Sequence, residues 1–165
     1  MKKCTFEKIV EEDIESVREI YLYYIQNSTA TFHKRDISYQ EMKELVIFNN
    51  PKYESYTIYY EGELCGYVIL TQYKVREAFD QSAEITIYLK QGFEGKGIGT
   101  QAVNFIEDRA RTKDLHVLLA LVCGENTGSM ALFEKMGYVK CAHYKEVGYK
   151  FGRWLDLVGY EKIIS

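Results

Sequence analysis

Polar and apolar residues alternate from Lys3 to Val10, the period of a first strand. Asp13 stands where a helix N-cap belongs. Ile14, Val17, Ile20, Tyr21, Tyr24 and Ile25 then follow at helical spacing, which predicts an amphipathic helix to about Gln26. Asn27 to Phe32 breaks the pattern. Ser38 and Glu41 form an S-x-x-E capping box that opens a second helix through about Phe48, and Pro51 ends that region. Ser55 to Tyr60 and Leu64 to Tyr73 are β-rich runs joined by the turn Glu61-Gly62-Glu63. Ser82 to Leu89 is a fourth strand, with Ala83, Ile85, Ile87 and Leu89 on one face and Glu84, Thr86 and Tyr88 on the other.

A glycine-rich stretch, Gly92 to Gly99, follows that strand and leads into a helix to about Arg111. His116 to Cys123 is continuously apolar, as a buried parallel strand is. Asn126 to Met136 reads as a helix closed by Gly137, and Tyr138 to Tyr149 and Trp154 to Ile164 are the last two strands. The predicted order is β-α-α-β-β-β-α-β-α-β-β. That is an α/β (α+β) chain with one mixed sheet, in a single domain over residues 1–165 with no linker or repeat.

Composition agrees with one packed domain: 165 residues, 47% of them hydrophobic, are enough for a core. The net charge of −3 argues against broad nucleic-acid binding, which needs a basic face. Met1 to Val10 lacks the apolar region of a signal peptide, and no apolar run approaches a membrane span, so a cytoplasmic protein without a membrane partner is expected. Cys4, Cys65, Cys123 and Cys141 form no CxxC pair, and His33, His116 and His143 are scattered. Reduced cysteines and no metal site are the expectation.

The candidate chemistry lies in the strand–glycine loop–helix–strand unit. Gly95, Gly97 and Gly99 clear side chains from the start of a helix, where unpaired N–H groups and the helix dipole favour an anion such as a pyrophosphate, and Lys96 adds charge. A Walker A loop does not fit, because Gly97 follows Gly95-Lys96 where Ser or Thr is required. A dinucleotide fingerprint does not fit either, because the loop follows the fourth strand and has G-x-G-x-G spacing. The glycines alone are equally compatible with a plain turn.

Glu94 to Gly99 resembles the pyrophosphate motif of the GNAT acetyltransferases, and Asn126 with Ser129 and Gly137-Tyr138 resembles that family's later N-x-x-[S/A]…G-[F/Y] segment. Asn27 to Phe32, Lys74 to Phe79 and Val147 to Asp156 further resemble the phosphinothricin/methionine sulfoximine N-acetyltransferase subgroup. The resemblance spans nearly the whole chain. It implies a single, mostly antiparallel sheet of about seven strands with about four helices, a homodimer, and acetyl-CoA as co-substrate. It implies that Gly95, Lys96, Gly97, Ile98, Gly99 and Thr100 hold the pyrophosphate, that Ile87, Tyr88 and Leu89 pair with the pantetheine arm, and that Asn126 lies near the arm or thiol.

Two residues depart from the family pattern. Glu94 stands in place of an Arg or Gln and places a carboxylate near the anion site. Phe133 stands where many relatives carry a Tyr, and a phenyl ring cannot protonate a leaving thiolate. Glu84 matches a subgroup glutamate and is the candidate general base, against the alternative of a solvated strand carboxylate. Arg76 and Lys74 are candidates for gripping an anionic group of a small-molecule amine, with Phe32 and Phe79 as pocket walls. The alternative is a solvated charged loop. The function implied is N-acetylation of a small amino acid or analogue. An acyl-CoA sensor with little turnover and a protein or peptide N-acetyltransferase are the other readings.

Overall fold

In the computed structural model, which describes residues 2–165, the strands are β1 (Cys4–Lys8), β2 (Glu54–Tyr60), β3 (Glu63–Gln72), β4 (Ser82–Leu89), β5 (Val117–Cys123), β6 (Val139–Lys150) and β7 (Arg153–Ile163). The helices are α1 (Ile14–Asn27), α2 (Tyr39–Val46), α3 (Ile98–Arg111) and α4 (Thr127–Lys135). The expected elements are all present and in the expected order. Short 3₁₀ turns at Glu11–Asp13 and Glu77–Phe79 are additional. The first of these alters the start of α1. Asp13 does not cap the helix with its side chain; its carboxylate accepts from the Val10 N–H at 2.9 Å and closes the preceding turn. The predicted box at α2 is present: Ser38 Oγ accepts from the Glu41 N–H at 3.1 Å, and the Glu41 carboxylate accepts from the Ser38 N–H at 3.2 Å.

The strands form one seven-stranded sheet in the order β1-β2-β3-β4-β5-β7-β6. All neighbours are antiparallel except β4 and β5. The alternation read on β4 sorts its side chains between two cores. Ala83, Ile85 and Ile87 join the layer of Ile98, Ala102, Val103 and Ile106 from α3. Tyr88 joins the layer of Ile14, Val17, Tyr21 and Ile25 from α1 and Met42 from α2. Each face of the sheet therefore has its own helical cover, and β3 is buried on both faces from Cys65 to Leu70, as its apolar run requires.

The parallel pairing of β4 and β5 is short. It runs only from Ser82↔Val117 to Glu84↔Leu119. Beyond that point β4 stays paired with β3 as far as Leu89↔Gly66, and β5 stays paired with β7 as far as Cys123↔Leu157. The two inner edges diverge while their outer edges remain held. This opens a wedge in the middle of the sheet, bordered by backbone N–H and C=O groups without strand partners. Such groups need another partner once buried, and an extended ligand arm can supply it.

Candidate functional site

A cleft of about 740 Å³ fills the wedge. Ile85 to Leu89 line one side, and Leu121 and Val122 line the other. At one end stands the glycine loop, with Gly95, Gly97, Ile98, Gly99 and Thr100 in the wall. Gly97 is the N-cap of α3 at φ +79°, and Gly95 has φ +74°, a left-handed conformation that suits glycine. Gly97 has no side chain to cap the helix, and the first return bond is from the Gln101 N–H to Gly97 O at 3.2 Å. The amides of Ile98, Gly99 and Thr100 precede it and have no intrahelical acceptor. A Cβ added at Gly95 would meet nothing within 4 Å, so the loop leaves open space beside those amides. Donors, dipole and clearance together fit a pyrophosphate.

Gly99 serves a different purpose. A Cβ there would lie 3.0 Å from Leu132 Cδ2, so its absence lets α3 and α4 close on one another. Asn126 caps α4, its Oδ1 accepting from the Ser129 N–H at 3.1 Å, and it lines the cleft. Phe133 is buried edge-on against Tyr138 with ring centroids 5.1 Å apart and also borders the cleft. The carboxylate of Glu94, which adds negative charge to this end, folds back and accepts from the Gly92 N–H at 2.8 Å. Of the cofactor residues read from the sequence, Ile87, Tyr88, Leu89, Gly95, Gly97, Ile98, Gly99, Thr100 and Asn126 converge on the cleft. Lys96 does not: its side chain is exposed outside the wall.

Glu84 sits at the last paired position of β4 and β5, at the apex of the wedge, on the same strand face as Thr86 and Tyr88. It is half-buried and does not itself line the cleft. Burial pushes its carboxyl above the ordinary glutamate range, and the positive charge of Lys74 opposes that shift only in part. Lys74 stands over the Tyr73 ring at 5.2 Å, and Phe79 meets the same ring edge-on at 5.9 Å. The segment from Lys74 to Phe79 thus gathers beside the apex, although Lys74, Arg76 and Phe79 are all exposed and outside the cleft wall. Arg76 makes no ion pair among the described residues. Phe32 also lies outside the wall, its ring against Gly148.

Several residues on the α1 side of the cleft were given no role from the sequence, although Asn27 to Phe32 is part of the resemblance. Ser28, Thr29 and Ala30 of the loop after α1 line the cleft, with Tyr24 and Glu125. The Tyr24 hydroxyl donates to Leu89 O, and burial pushes its pKa up to about 12. The Tyr88 hydroxyl donates to Ala30 O at 3.3 Å. The Arg153 guanidinium and the Thr29 hydroxyl hold the Glu125 carboxyl at about 2. Helical spacing marks Tyr24 as a core position but does not show that it ends at a wedge, and a glutamate between strand and helix carries no local signal.

No cluster of three or more His, Cys, Asp or Glu that could hold a metal occurs among the described residues. No helix among them is long and apolar enough to cross a membrane.

Known proteins share this arrangement. The family described as "Acetyltransferase (GNAT) family" matches residues 18–138, more than half of the chain. The chain is 28% identical over 158 residues to a phosphinothricin N-acetyltransferase of Streptomyces coelicolor, covering 93% of this chain and 92% of that protein. It is 29% identical over 149 residues to an L-methionine sulfoximine/L-methionine sulfone acetyltransferase of Pseudomonas aeruginosa, covering 88% and 86%. A GNAT superfamily phosphinothricin acetyltransferase from Sinorhizobium meliloti, solved in complex with acetyl-CoA, superposes with a TM-score of 0.91 at 27% identity over 97% of this chain and 88% of that one. A wedge between parallel strands, a glycine-capped helix at its end and a family match across both place this chain in the GNAT acetyltransferase family, as an N-acetyltransferase that uses acetyl-CoA.

Proposed function

We propose that the acceptor is the α-amine of a small amino acid or analogue, of the phosphinothricin or methionine sulfoximine type, and that Glu84 is the general base. The observation that carries this is the position of Glu84. It is a partly desolvated carboxylate with a raised pKa at the apex of the wedge, on the face shared with the cleft-lining Thr86 and Tyr88. The kinship with enzymes named for those two substrates supports the acceptor class.

When bound, acetyl-CoA supplies an acetyl group activated as a thioester. The amides of Ile98, Gly99 and Thr100, with the loop at Gly95, Lys96 and Gly97, hold its pyrophosphate. The free edge of β4 at Ile87, Tyr88 and Leu89 takes the arm, and Asn126 stands beside it. Glu84 accepts a proton from the acceptor ammonium, directly or through one water, and leaves a neutral amine. Edge N–H groups between Ile87 and Leu89 donate to the acetyl oxygen as negative charge develops there. The amine nitrogen would then bond to the acetyl carbon as the thioester C–S bond breaks; CoA would leave as a thiolate and take its proton from solvent, because Phe133 can donate none. Arg76 and Lys74, exposed outside the cleft wall, would meet the acceptor's carboxylate or phosphinate from the side of Phe79, whereas Phe32 packs on Gly148 instead of walling the cleft.

A thiol-release assay with acetyl-CoA and a panel of amines tests the reading. Phosphinothricin and methionine sulfoximine should turn over, and removing the acceptor carboxylate or substituting Arg76→Ala should raise KM. Acetyl-CoA binding without thiol release on any amine would instead favour a sensor. Release only with peptide amines would favour a protein acetyltransferase.

The exposed aromatic face of the β6–β7 hairpin supports a homodimer. Tyr144, Tyr149, Phe151 and Trp154 are each about half or more exposed there, at 54%, 47%, 51% and 62%. β6 is also an edge strand, with a row of backbone groups open to pairing. Sedimentation should give twice the 19.3 kDa chain mass, and Trp154→Lys should shift it toward the monomer.

A further inference from the structure

The tip of the β6–β7 hairpin is fastened to the loop after α1 in a way that the chemistry above does not use. Lys150, the last residue of β6, is 2% exposed. It has no carboxylate partner among the described residues. Its ammonium instead donates to Ser28 O at 2.6 Å, Thr31 O at 2.9 Å and, at 3.5 Å, Tyr24 O. Burial lowers its pKa below the ordinary lysine value. A cation in such a place needs a structural reason, because a buried charge without partners is strongly disfavoured. The reason is local. Tyr24 lies in the last turn of α1 and Ser28 is its C-cap, so their carbonyls sit at the negative end of the helix dipole. The Thr31 carbonyl converges on the same point.

Two further contacts tie the same loop to the same hairpin tip. Arg153 pairs across the turn from Lys150. It grips Glu125 through two bonds of 2.8 and 2.7 Å, and Glu125 accepts from the Thr29 hydroxyl at 2.9 Å. The Phe32 ring lies so close to Gly148 that an added Cβ would come within 2.9 Å of it.

The loop held in this way is one wall of the cleft, at Ser28, Thr29 and Ala30. It lies on the α1 side of the sheet, whereas the glycine loop belongs to α3 on the other side. The two loops are anchored to different helices, and the Tyr88 hydroxyl, donating to Ala30 O at 3.3 Å, links this one to the arm strand β4.

We propose that Lys150 is a positioning residue for the acceptor: by holding the carbonyls of Ser28 and Thr31 it sets where Thr29 and Ala30 stand in the cleft, and so controls acceptor binding far more than acetyl-CoA binding. This rests on the proposed small-amine acceptor, and takes it to enter the cleft on the side that Thr29 and Ala30 line. Neither Lys150 nor Arg153 touches the reacting atoms.

The test is Lys150→Met in the full chain, which keeps the length and removes the charge and donors. KM for methionine sulfoximine should rise about tenfold or more, with kcat within about threefold, the signature of lost ground-state positioning. The calorimetric Kd for acetyl-CoA should stay within about twofold. Hydrogen exchange should accelerate at the amides of residues 28–33 and not in α3. An unchanged KM overturns the proposal, and so does an acetyl-CoA Kd that rises in step with KM, since that marks general loosening. If Lys150→Met does not fold, Arg153→Met cuts the outer fastening at Glu125 from outside the cleft wall. The same split of KM from Kd is expected there, and its absence overturns the proposal. If the unsubstituted chain acetylates no amine, the proposed acceptor is wrong, and exchange still decides the fastening: acceleration confined to residues 28–33 upholds it, and none refutes it.

Discussion

Two glutamates near the cleft show how much a side chain's surroundings decide. Glu84 is half-buried with no hydrogen-bond partner among the described residues, and its carboxyl is pushed up. Glu94 turns its charge onto a backbone N–H of its own loop. A base must be ionised to work, and the Glu84 pKa is raised above 4.5. The acetylation rate should therefore climb with pH through a limb displaced upward from that value and level off once Glu84 is charged. Glu84→Gln should lower kcat/KM by roughly 10²–10⁴ and remove that limb, read from pH–rate profiles of both proteins. A full rate with an unchanged profile would return Glu84 to a solvated strand residue. Its strand face was readable from alternation, and its candidacy as base from the resemblance to the subgroup's strand glutamate. Its place at the apex was not, because that depends on where β5 stops pairing with β4, and β5 begins more than 25 residues later in the chain.

Among the elements, α3 is the one whose start is proposed to hold the pyrophosphate. The left-handed Gly97 turns the chain so that three amides face open space. Gly97→Ala should cost about 1–2 kcal/mol from its positive φ, seen as a lower Tm. It should also weaken acetyl-CoA binding by calorimetry, because strain at the cap tilts those amides. Gly124→Ala outside the glycine loop makes a useful contrast: its Cβ would meet Asp156 Cβ at 3.1 Å, and stability should fall without a selective loss of acetyl-CoA. The capping box at Ser38 and Glu41, the strand of alternating residues at β4 and the Asn126 cap are local features, so they could be read from a few neighbouring residues. At the start of α1 the position was read correctly and the contact was not. Asp13 is a plausible cap by type, but a 3₁₀ turn inserted before the helix gives its carboxylate to Val10 instead.

At the level of the whole molecule, a charged clamp joins the sheet to α3. Glu54 at the start of β2 is 3% exposed. Burial alone would raise its pKa, yet Arg109, bonded at 2.9 and 3.0 Å, and Lys113 at 3.3 Å hold it down to about 2. A carboxyl depressed on folding stabilises above its unfolded pKa, and that contribution is lost as pH falls through the folded one. Stability should therefore drop between about pH 5 and pH 2, by on the order of 2–3 kcal/mol for this group, in urea melts across that range. Arg109→Met should be less stable at pH 7, because it leaves the buried carboxylate underpaired, and its acid slope should be shallower.

The order of elements, the two faces of β4 and the glycine turn were settled by the sequence alone. Each is encoded by the period of apolar residues or by glycine's freedom of φ over a few positions. The tertiary structure alone decided that β4 and β5 part after Glu84, that Tyr24, Thr29 and Glu125 border the cleft, that Lys96 and Arg76 stand outside its wall, and that a lysine at position 150 is buried against the end of α1. These are contacts between segments distant in the chain. Their energies depend on which strand edges stay paired and which carbonyls meet, and no local period records that.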